Sequence, residues 1–397
     1  MKRANIFKLS PTEGGRKRLF ELADNCSRMY NEINFKRRQS FFRGKIDWNT
    51  DEFYHRYKKL VGSATAQQII IKNNESWKSF FALIKAYKAG KIEDRPHPPG
   101  YWKDRTTGKR TLRVLIRNDT YRLGDKYLEL PFGLRVEWKG KNRWKGKQGR
   151  LEIQYDDLSG QWYAFQPVEA SPLHQPIGNK KAYVDLGVKC PIVANVEGRV
   201  WGYKANSMLA EWWDQTRRIA ECQRELHRTG RRSSRKLRKL YRKRKRRLRS
   251  KINKIIADFV DRCWVLGVSE IICGDLRGIR ASAKFNKKSN SIIHNFWSVG
   301  FLYERLKTKT EEYGITVKRE DERGTSSKCP RCRSICVIKK GRLLKCMNCE
   351  LEAHRDAVGC INLSLAQGEV LPAEVITRAV TRPLLLPVEA GTSHASA

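Results

Sequence analysis

The sequence predicts a mixed α/β and α+β protein: a small antiparallel β-barrel carrying a helical insertion, then an α/β domain interrupted by a cysteine-rich segment. Three observations predict it. Helical spacing of apolar residues gives way, beyond a Pro-rich break at Arg95 to Gly100, to short alternating runs. From about residue 181, strands and long helices alternate, the pattern of a sheet with crossover helices. Two Cys-x-x-Cys pairs then stand close together after Lys328.

From Pro11 to about Phe42, the residues Leu19, Phe20, Leu22, Ala23, Met29 and Tyr30 recur at helical intervals. A second stretch, Ala66 to Tyr87, sets Ile69, Ile70, Trp77, Phe80, Phe81 and Ile84 on one broad face, which reads as a core face. Short strands follow at 112–116, 127–130, 134–138, 151–155 and 162–165, separated by Gly, Asn and Asp turns. Several such strands predict a small antiparallel barrel. Pro172 to Lys180 is a polar connector, so residues 1–180 are expected to form the barrel, with helices inserted at about 11–90.

Past the connector, 182–187, 192–196 and 199–203 read as strands, 210–265 as two helices, 268–273 as a strand, 296–313 as a helix and 315–318 as a strand. That order is the order of an RNase H-like domain, in which the first, fourth and fifth strands lie parallel. The domain is expected over 181–326 and 353–366, with the cysteine-rich insertion over 327–352. Beyond Leu365 the chain shows no clear period, and 367–397 is expected to be a partly disordered tail.

Lys plus Arg number 82 against 41 Asp plus Glu, a formal net charge of +41, so the expected partner is a polyanion. With 40% hydrophobic residues the chain is too apolar for a disordered basic tail. No window approaches the roughly 20 apolar residues needed to cross a bilayer, and no signal core follows Met1-Lys2-Arg3. Most of the 11 cysteines outside the two pairs are scattered singly, a reducing-compartment pattern. A cytoplasmic protein, nucleoid-associated through DNA binding, is expected.

Cys329-Pro330-Arg331-Cys332 and Cys346-Met347-Asn348-Cys349 supply four thiolates at zinc-ribbon spacing. A closed Cys₄ site leaves no open position for substrate, so one structural Zn²⁺ is expected. Asp185 lies in an apolar strand before Gly187, where a carboxylate is disfavoured unless something offsets its burial. Asp356 opens a short helix after His354-Arg355. Read alone, Asp185 suits a turn or cap and Asp356 a helix first turn. Together, on the first strand and the last helix, they are two corners of the two-metal site of RNase H-like nucleases, with Mg²⁺ ions about 3.5 to 4 Å apart.

Tyr183-Val184-Asp185-Leu186-Gly187, Gly274-Asp275-Leu276, Thr325-Ser326-Ser327-Lys328 with both cysteine pairs, and His354-Arg355-Asp356-Ala357-Val358-Gly359 resemble the RuvC domain of the TnpB family. These are transposon-encoded RNA-guided DNA endonucleases related to type V CRISPR effectors and Fanzor proteins. The motifs span 181–364; the first 180 residues match the family's helical recognition segment and wedge barrel in layout only. The resemblance implies a guide (omega) RNA from the transposon end, a target DNA duplex beside a short adjacent motif, and Mg²⁺-dependent cleavage. A monomer is expected.

One departure matters. Most members have Glu before Asp-Leu at the end of the fourth strand, and this chain has Gly274. Some members and Fanzors are similar to this chain in placing a glutamate shortly before the Thr-Ser-x-x-Cys motif, where Glu322 stands. Gly274 leaves a side-chain-sized gap that a long glutamate from the neighbouring strand end could fill. The expected set is therefore Asp185, Glu322 and Asp356, with Glu320 and then Asp275 as the other candidates and a solvated acidic turn over 320–322 as the plain reading. Without a replacement, the chain would be a guide-directed DNA-binding protein that represses by occupancy. A DNA transposase proper is a further reading, though no separate end-binding region is visible.

Arg231 to Lys254 has Arg or Lys at more than half its positions, and like charges at that density repel unless phosphates neutralise them. Arg231, Arg232, Arg235, Lys239, Arg242, Lys243 and Arg246 are the expected nucleic-acid contacts. Arg105, Lys109, Arg110 and Arg113 are further candidates on the barrel side.

Overall fold

A computed structural model describes residues 1–104, 107–276, 286–297, 299–322 and 324–388. Arg105 and residues 389–397 of the expected partly disordered tail lie outside the described residues. The chain divides into two compact units, Met1–Ser171 and the remainder from Pro172. No helix among the described residues is long and apolar enough to cross a membrane.

The first unit contains β1 (Lys2–Ser10), α1 (Glu13–Phe42), α2 (Asp51–Val61), α3 (Ser63–Lys88), β2 (Arg113–Ile116), β3 (Arg122–Leu123), β4 (Tyr127–Leu130), β5 (Leu134–Gly140), β6 (Lys147–Gln148), β7 (Leu151–Asp156) and β8 (Gln161–Glu169). The strands form one antiparallel sheet, ordered β2-β7-β8-β1-β5-β4-β3, with β6 also on β8. The expected barrel thus takes the form of a curled sheet. Its core is closed by helices: Leu19, Ala23, Met29 and Ile33 of α1 pack with Phe7, Val114, Ile153 and Trp162 of the strands. Thr12 starts α1 by accepting from the Gly15 amide at 3.3 Å, an N-cap that satisfies one orphan donor.

The sequence pattern did not reveal β1, which lies inside the sheet. Its buried positions are Arg3, Asn5, Phe7 and Leu9, so half of the inward face is polar and the apolar alternation is hidden. Asn5 is tolerated because its amide donates to Asn142 Oδ1, the Trp144 carbonyl and Gln166 Oε1 at 2.9, 2.8 and 3.1 Å.

The second unit holds β9 (Lys180–Asp185), β10 (Val193–Val196), β11 (Arg199–Lys204), α4 (Asn206–Arg228), α5 (Arg235–Val265), β12 (Val268–Gly274), α6 (Lys287–Ser291), α7 (Val299–Thr310) and β13 (Thr316–Glu320). There follow β14 (Val337–Lys340), β15 (Leu343–Cys346), β16 (Glu352–His354), α8 (Arg355–Ala366), α9 (Ala373–Thr381) and β17 (Leu384–Pro387). The large sheet runs β13-β12-β9-β10-β11-β17. β9, β12 and β13 are parallel, whereas β10 is antiparallel to both neighbours. This is the RNase H-like arrangement. The apolar half of α5, with Ile252, Ile256, Phe259 and Cys263, packs with Ala182, Val184 and Ile271 of the sheet.

Two expected boundaries shift. Residues 172–180 belong to the second unit, because the Leu173 and His174 amides donate to the Glu312 carbonyl at 2.8 and 3.0 Å. His174 also stacks on Tyr313 with ring centroids 4.7 Å apart. The described part of the tail, which was expected to be partly disordered from 367, supplies α9 and β17, the latter pairing in parallel with β11 through Trp201 and Leu384. Ile376, Ala379 and Val380 form the buried face of α9. The nine residues of α9, confined between Pro372 and Pro383 with Arg382 as its C-cap, are too few for a helical period to stand out.

Candidate functional site

Asp185 is the last residue of β9, Gly274 the last of β12, and Gly274 pairs in register with Glu320 at the end of β13. Two residues farther on, Glu322 folds back over Gly274. A Cβ added at Gly274 would lie 2.6 Å from Glu322 Cδ and 3.0 Å from its Cβ, and would collide with Oε2. The glutamate therefore occupies the space that a side chain at 274 would need. Its turn is braced: the Thr325 hydroxyl donates to the Glu322 carbonyl at 2.7 Å, and Asn362 of α8 donates to the Thr325 and Lys328 carbonyls at 2.6 and 2.9 Å.

The same helix carries Asp356, a buried residue in its first turn. Arg342, in the turn between β14 and β15, donates to Asp356 Oδ1 at 2.5 Å, while Oδ2 is buried with no hydrogen-bond partner. Gly359, one turn on, lets α8 approach β9: a Cβ there would lie 3.0 Å from Asp185 Oδ2. Arg342 and Asn362 were not singled out from the sequence, and Gly359 stood there only as the end of a motif. Only the spacing of Gly359 and Asn362 after Asp356 carries a signal, and Arg342 is one of 82 basic residues.

Burial, then the negative charges of Asp356 and Glu322, push the Asp185 carboxyl up to about 8, against the opposing pull of Arg342 and Arg355. Burial, followed by Asp275 and Asp321, also raises Glu322. Such a cluster is costly without a cation, and its all-oxygen donors with one orphaned carboxylate oxygen fit a hard divalent ion such as Mg²⁺. Among the described residues, only the four ribbon cysteines have ligand atoms all within 4.8 Å of one another. The carboxylates are more widely spread, as the span of a two-ion site permits.

A stability prediction follows from the sign of this shift. Between about pH 4 and 8 the folded chain holds a proton at Asp185 that the unfolded chain has lost, so stability falls as pH rises through that window. In metal-free protein, Asp185→Asn is expected to stabilise by on the order of 5 kcal/mol at pH 8 and by little at pH 4. Thermal unfolding at the two pH values checks it.

The ribbon is built for metal. Cys329 and Cys349 sulfurs are 3.6 Å apart, Cys332 and Cys346 sulfurs 3.5 Å. Tetrahedral Zn–S bonds of about 2.3 Å place sulfurs about 3.8 Å apart. Arg333 and Glu350, each directly after the second cysteine of a pair, both take left-handed conformations, with φ of 64° and 59°. This matching turn directs the two pairs toward a common point. Cys336 is exposed and lies outside the cluster.

On the α4–α5 hairpin, Arg231 and Arg232 precede α5, and Arg235, Lys239, Arg242 and Arg246 are exposed at successive i+4, i+3 and i+4 steps along one helix face; Lys243 is half-buried. That row spans about 16 Å. Cations of the run also have partners within the chain. Arg244 lies over Trp212 at 5.3 Å and donates to Thr216, and Glu211 pairs with Arg247 and Lys251 at 2.5 and 2.8 Å. In the first unit, Arg110 clasps Asp24 at 2.7 and 2.9 Å and Arg113 lies over Trp102, so both have structural partners there.

Comparison with known proteins fits this geometry. Residues 165–280 match a family model described as a probable transposase, and 300–363 match a Cas12f1-like TNB domain. TnpB-like protein ORF457 of Acidianus two-tailed virus is 31% identical over 407 residues, covering 91% of this chain and 86% of that protein. TnpB-like protein MJ0751 of Methanocaldococcus jannaschii is 31% identical over 121 residues, 30% of this chain and 42% of that one. Among solved structures, a Cas12f1–sgRNA–target DNA complex is similar in fold, with a TM-score of 0.56 and 12% identity, over 88% of this chain and 82% of that one. The mini-RNA-guided endonuclease CRISPR-Cas_phi3 gives 0.50 and 10%, over 98% and 94%. With its RNase H-like sheet, its ribbon and a relative matched over nearly its whole length, the chain belongs to the TnpB family.

Proposed function

We propose that this protein is a transposon-associated, RNA-guided DNA endonuclease that hydrolyses target duplex DNA beside a short adjacent motif. The observation that carries the reading is the Glu322 carboxylate folded into the side-chain space of Gly274, at the strand ends where Asp185 lies. Asp185, Glu322 and Asp356 would hold two Mg²⁺ ions, which supply an activated water and stabilise the departing 3′ oxygen. The ribbon cysteines would hold one structural Zn²⁺. Domain roles follow: the first unit as wedge and recognition module, the second as RuvC nuclease with its ribbon.

The α5 row of Arg235, Lys239, Arg242 and Arg246 would contact the phosphates of the guide RNA or its heteroduplex, reading shape while pairing reads sequence. Replacing all four by Gln is expected to flatten the salt dependence of RNA affinity, lowering the log–log slope by about 3, one Debye-screened contact at a time. Filter binding between 50 and 300 mM salt checks it, and an unchanged slope places the phosphates elsewhere.

The function itself is tested by purifying the protein with co-expressed RNA and incubating it with a plasmid carrying the target beside randomised flanks and Mg²⁺. Guide-dependent cleavage lost in Asp185→Ala and Asp356→Ala supports the nuclease. Tight guide-dependent binding with no nick favours a second reading, a guide-directed repressor, to which the missing acid at Gly274 points.

A further inference from the structure

An acid supplied from position 274 would be fixed by its strand, because the end of β12 is paired on both sides, Cys273 with Val184 of β9 and Gly274 with Glu320 of β13. Glu322 lies beyond that ladder: β13 ends at Glu320, whose carbonyl accepts from the Asp275 amide at 2.8 Å. Its backbone is held within a turn instead. The Thr325 amide and hydroxyl both donate to the Glu322 carbonyl, at 3.1 and 2.7 Å, and the Ser327 amide donates to the Gly324 carbonyl at 3.0 Å. This turn is tied to the core by Asn362 of α8, a residue only 5% exposed. Its side-chain amide donates to the carbonyls of both Thr325 and Lys328, at 2.6 and 2.9 Å. Lys339 of β14 adds a bond to the Ser327 hydroxyl at 2.8 Å, in an exposed position where water competes for both partners.

We propose that Asn362 is a positioning residue for the metal centre: it sets where the Glu322 carboxylate stands, so that α8 both supplies Asp356 and places its partner acid. The inference rests on the reading of Glu322 as a metal ligand and deepens it. Two bonds to carbonyls at separate points of the turn fix its rotation as well as its distance from α8, which a single bond would not do. The Asn362 Oδ1 atom is buried with no hydrogen-bond partner among the described residues. A buried acceptor left unpaired costs stability, so this amide is a poor choice for packing and a good one for holding two carbonyls. Asp356 stands in the first turn of the same helix, and one rigid element therefore fixes the spacing of the two acids. Hydrogen-bonding partners behind metal-ligating groups govern metal affinity by about 10- to 100-fold. That scale applies to Asn362, which acts through the turn and touches no metal itself.

The test is a double-mutant cycle on the full zinc-loaded chain without nucleic acid, with Mn²⁺ as the probe and calorimetric titration as the readout. Asn362→Leu keeps the size of the side chain and removes its donors. It is expected to weaken Mn²⁺ binding about tenfold in the parental chain, and by less than about twofold in Glu322→Gln, where the carboxylate it positions is already gone. Thr325→Val acts on the same turn from outside α8 by removing the hydroxyl bond to the Glu322 carbonyl. It is expected to weaken binding about threefold, one neutral hydrogen bond's worth, again only while Glu322 is present. Because Thr325 is half-buried, this second variant decides the matter where Asn362→Leu does not fold. Unchanged affinity in Asn362→Leu, or an equal loss from either variant with and without Glu322, would overturn the positioning role while leaving Glu322 a ligand. Parental affinity in Glu322→Gln alone would instead remove Glu322 from the metal centre, and the proposal with it.

Discussion

Gly274→Ala is expected to lower guide-directed cleavage by about 100-fold or more while leaving the fold intact. The added methyl group would collide with Glu322 Oε2 and lie 2.6 Å from Cδ, so the whole carboxylate must vacate its place. Displacement of a reacting or ligating group by about 1 Å can cost on the order of 10²-fold. Stability should change little, since Gly274 does not have the left-handed backbone that would make alanine strained, and the atoms it meets belong to one movable side chain. Single-turnover cleavage and thermal unfolding, measured on the same preparation, separate the two effects. Loss of stability in proportion to activity would mean that the glycine is needed for packing alone.

Removing zinc, or replacing one ligand by Cys346→Ser, is expected to unfold more than the ribbon. Cys329, Cys346, Leu344, Leu351 and Ala353 share one core with Ala357, Val358 and Ile361 of α8 and with Ile376 and Val380 of α9. Structural zinc sites contribute on the order of 10 kcal/mol of folding free energy, much more than this small ribbon core could replace. The helix that carries Asp356, and through Asn362 the brace on the Glu322 turn, would therefore depend on a metal held there. Hydrogen exchange after chelation should show protection lost across 327–366 and in α9, with β1 to β8 unaffected. Cleavage should fall with it even when Mg²⁺ is in excess. Loss of protection confined to 327–352 would contradict the shared core.

Those residues legible in the sequence were the ones whose chemistry is out of place where they stand. Four cysteines at ribbon spacing, an aspartate inside an apolar strand, and a glycine where the family has a glutamate each pose a physical problem visible without coordinates. The structure brings Glu322 to Gly274 because β12 and β13 are parallel neighbours whose ends, Gly274 and Glu320, pair in register two residues before it, a relation already implicit in the order of elements. The parts that stayed hidden lack such a signal. β1 buries Arg3 and Asn5 and so breaks its own alternation; α9 and β17 are too short to show a period; Arg342 reaches Asp356 only because the ribbon folds its turn against α8. The basic run was legible as a whole, but not the division within it. Arg244, Arg247 and Lys251 serve the hairpin, and Arg235, Lys239, Arg242 and Arg246 face outward.

The central claim, that the third metal-binding carboxylate has moved from position 274 to position 322, is tested most directly by moving it back. Single-turnover cleavage by Glu322→Gly should fall about 100-fold or more, and the double variant Gly274→Glu/Glu322→Gly should regain at least about a tenth of the parental rate, with Glu320→Gln near parental throughout. Parental cleavage by Glu322→Gly, or a loss that follows Glu320 instead, would contradict the account.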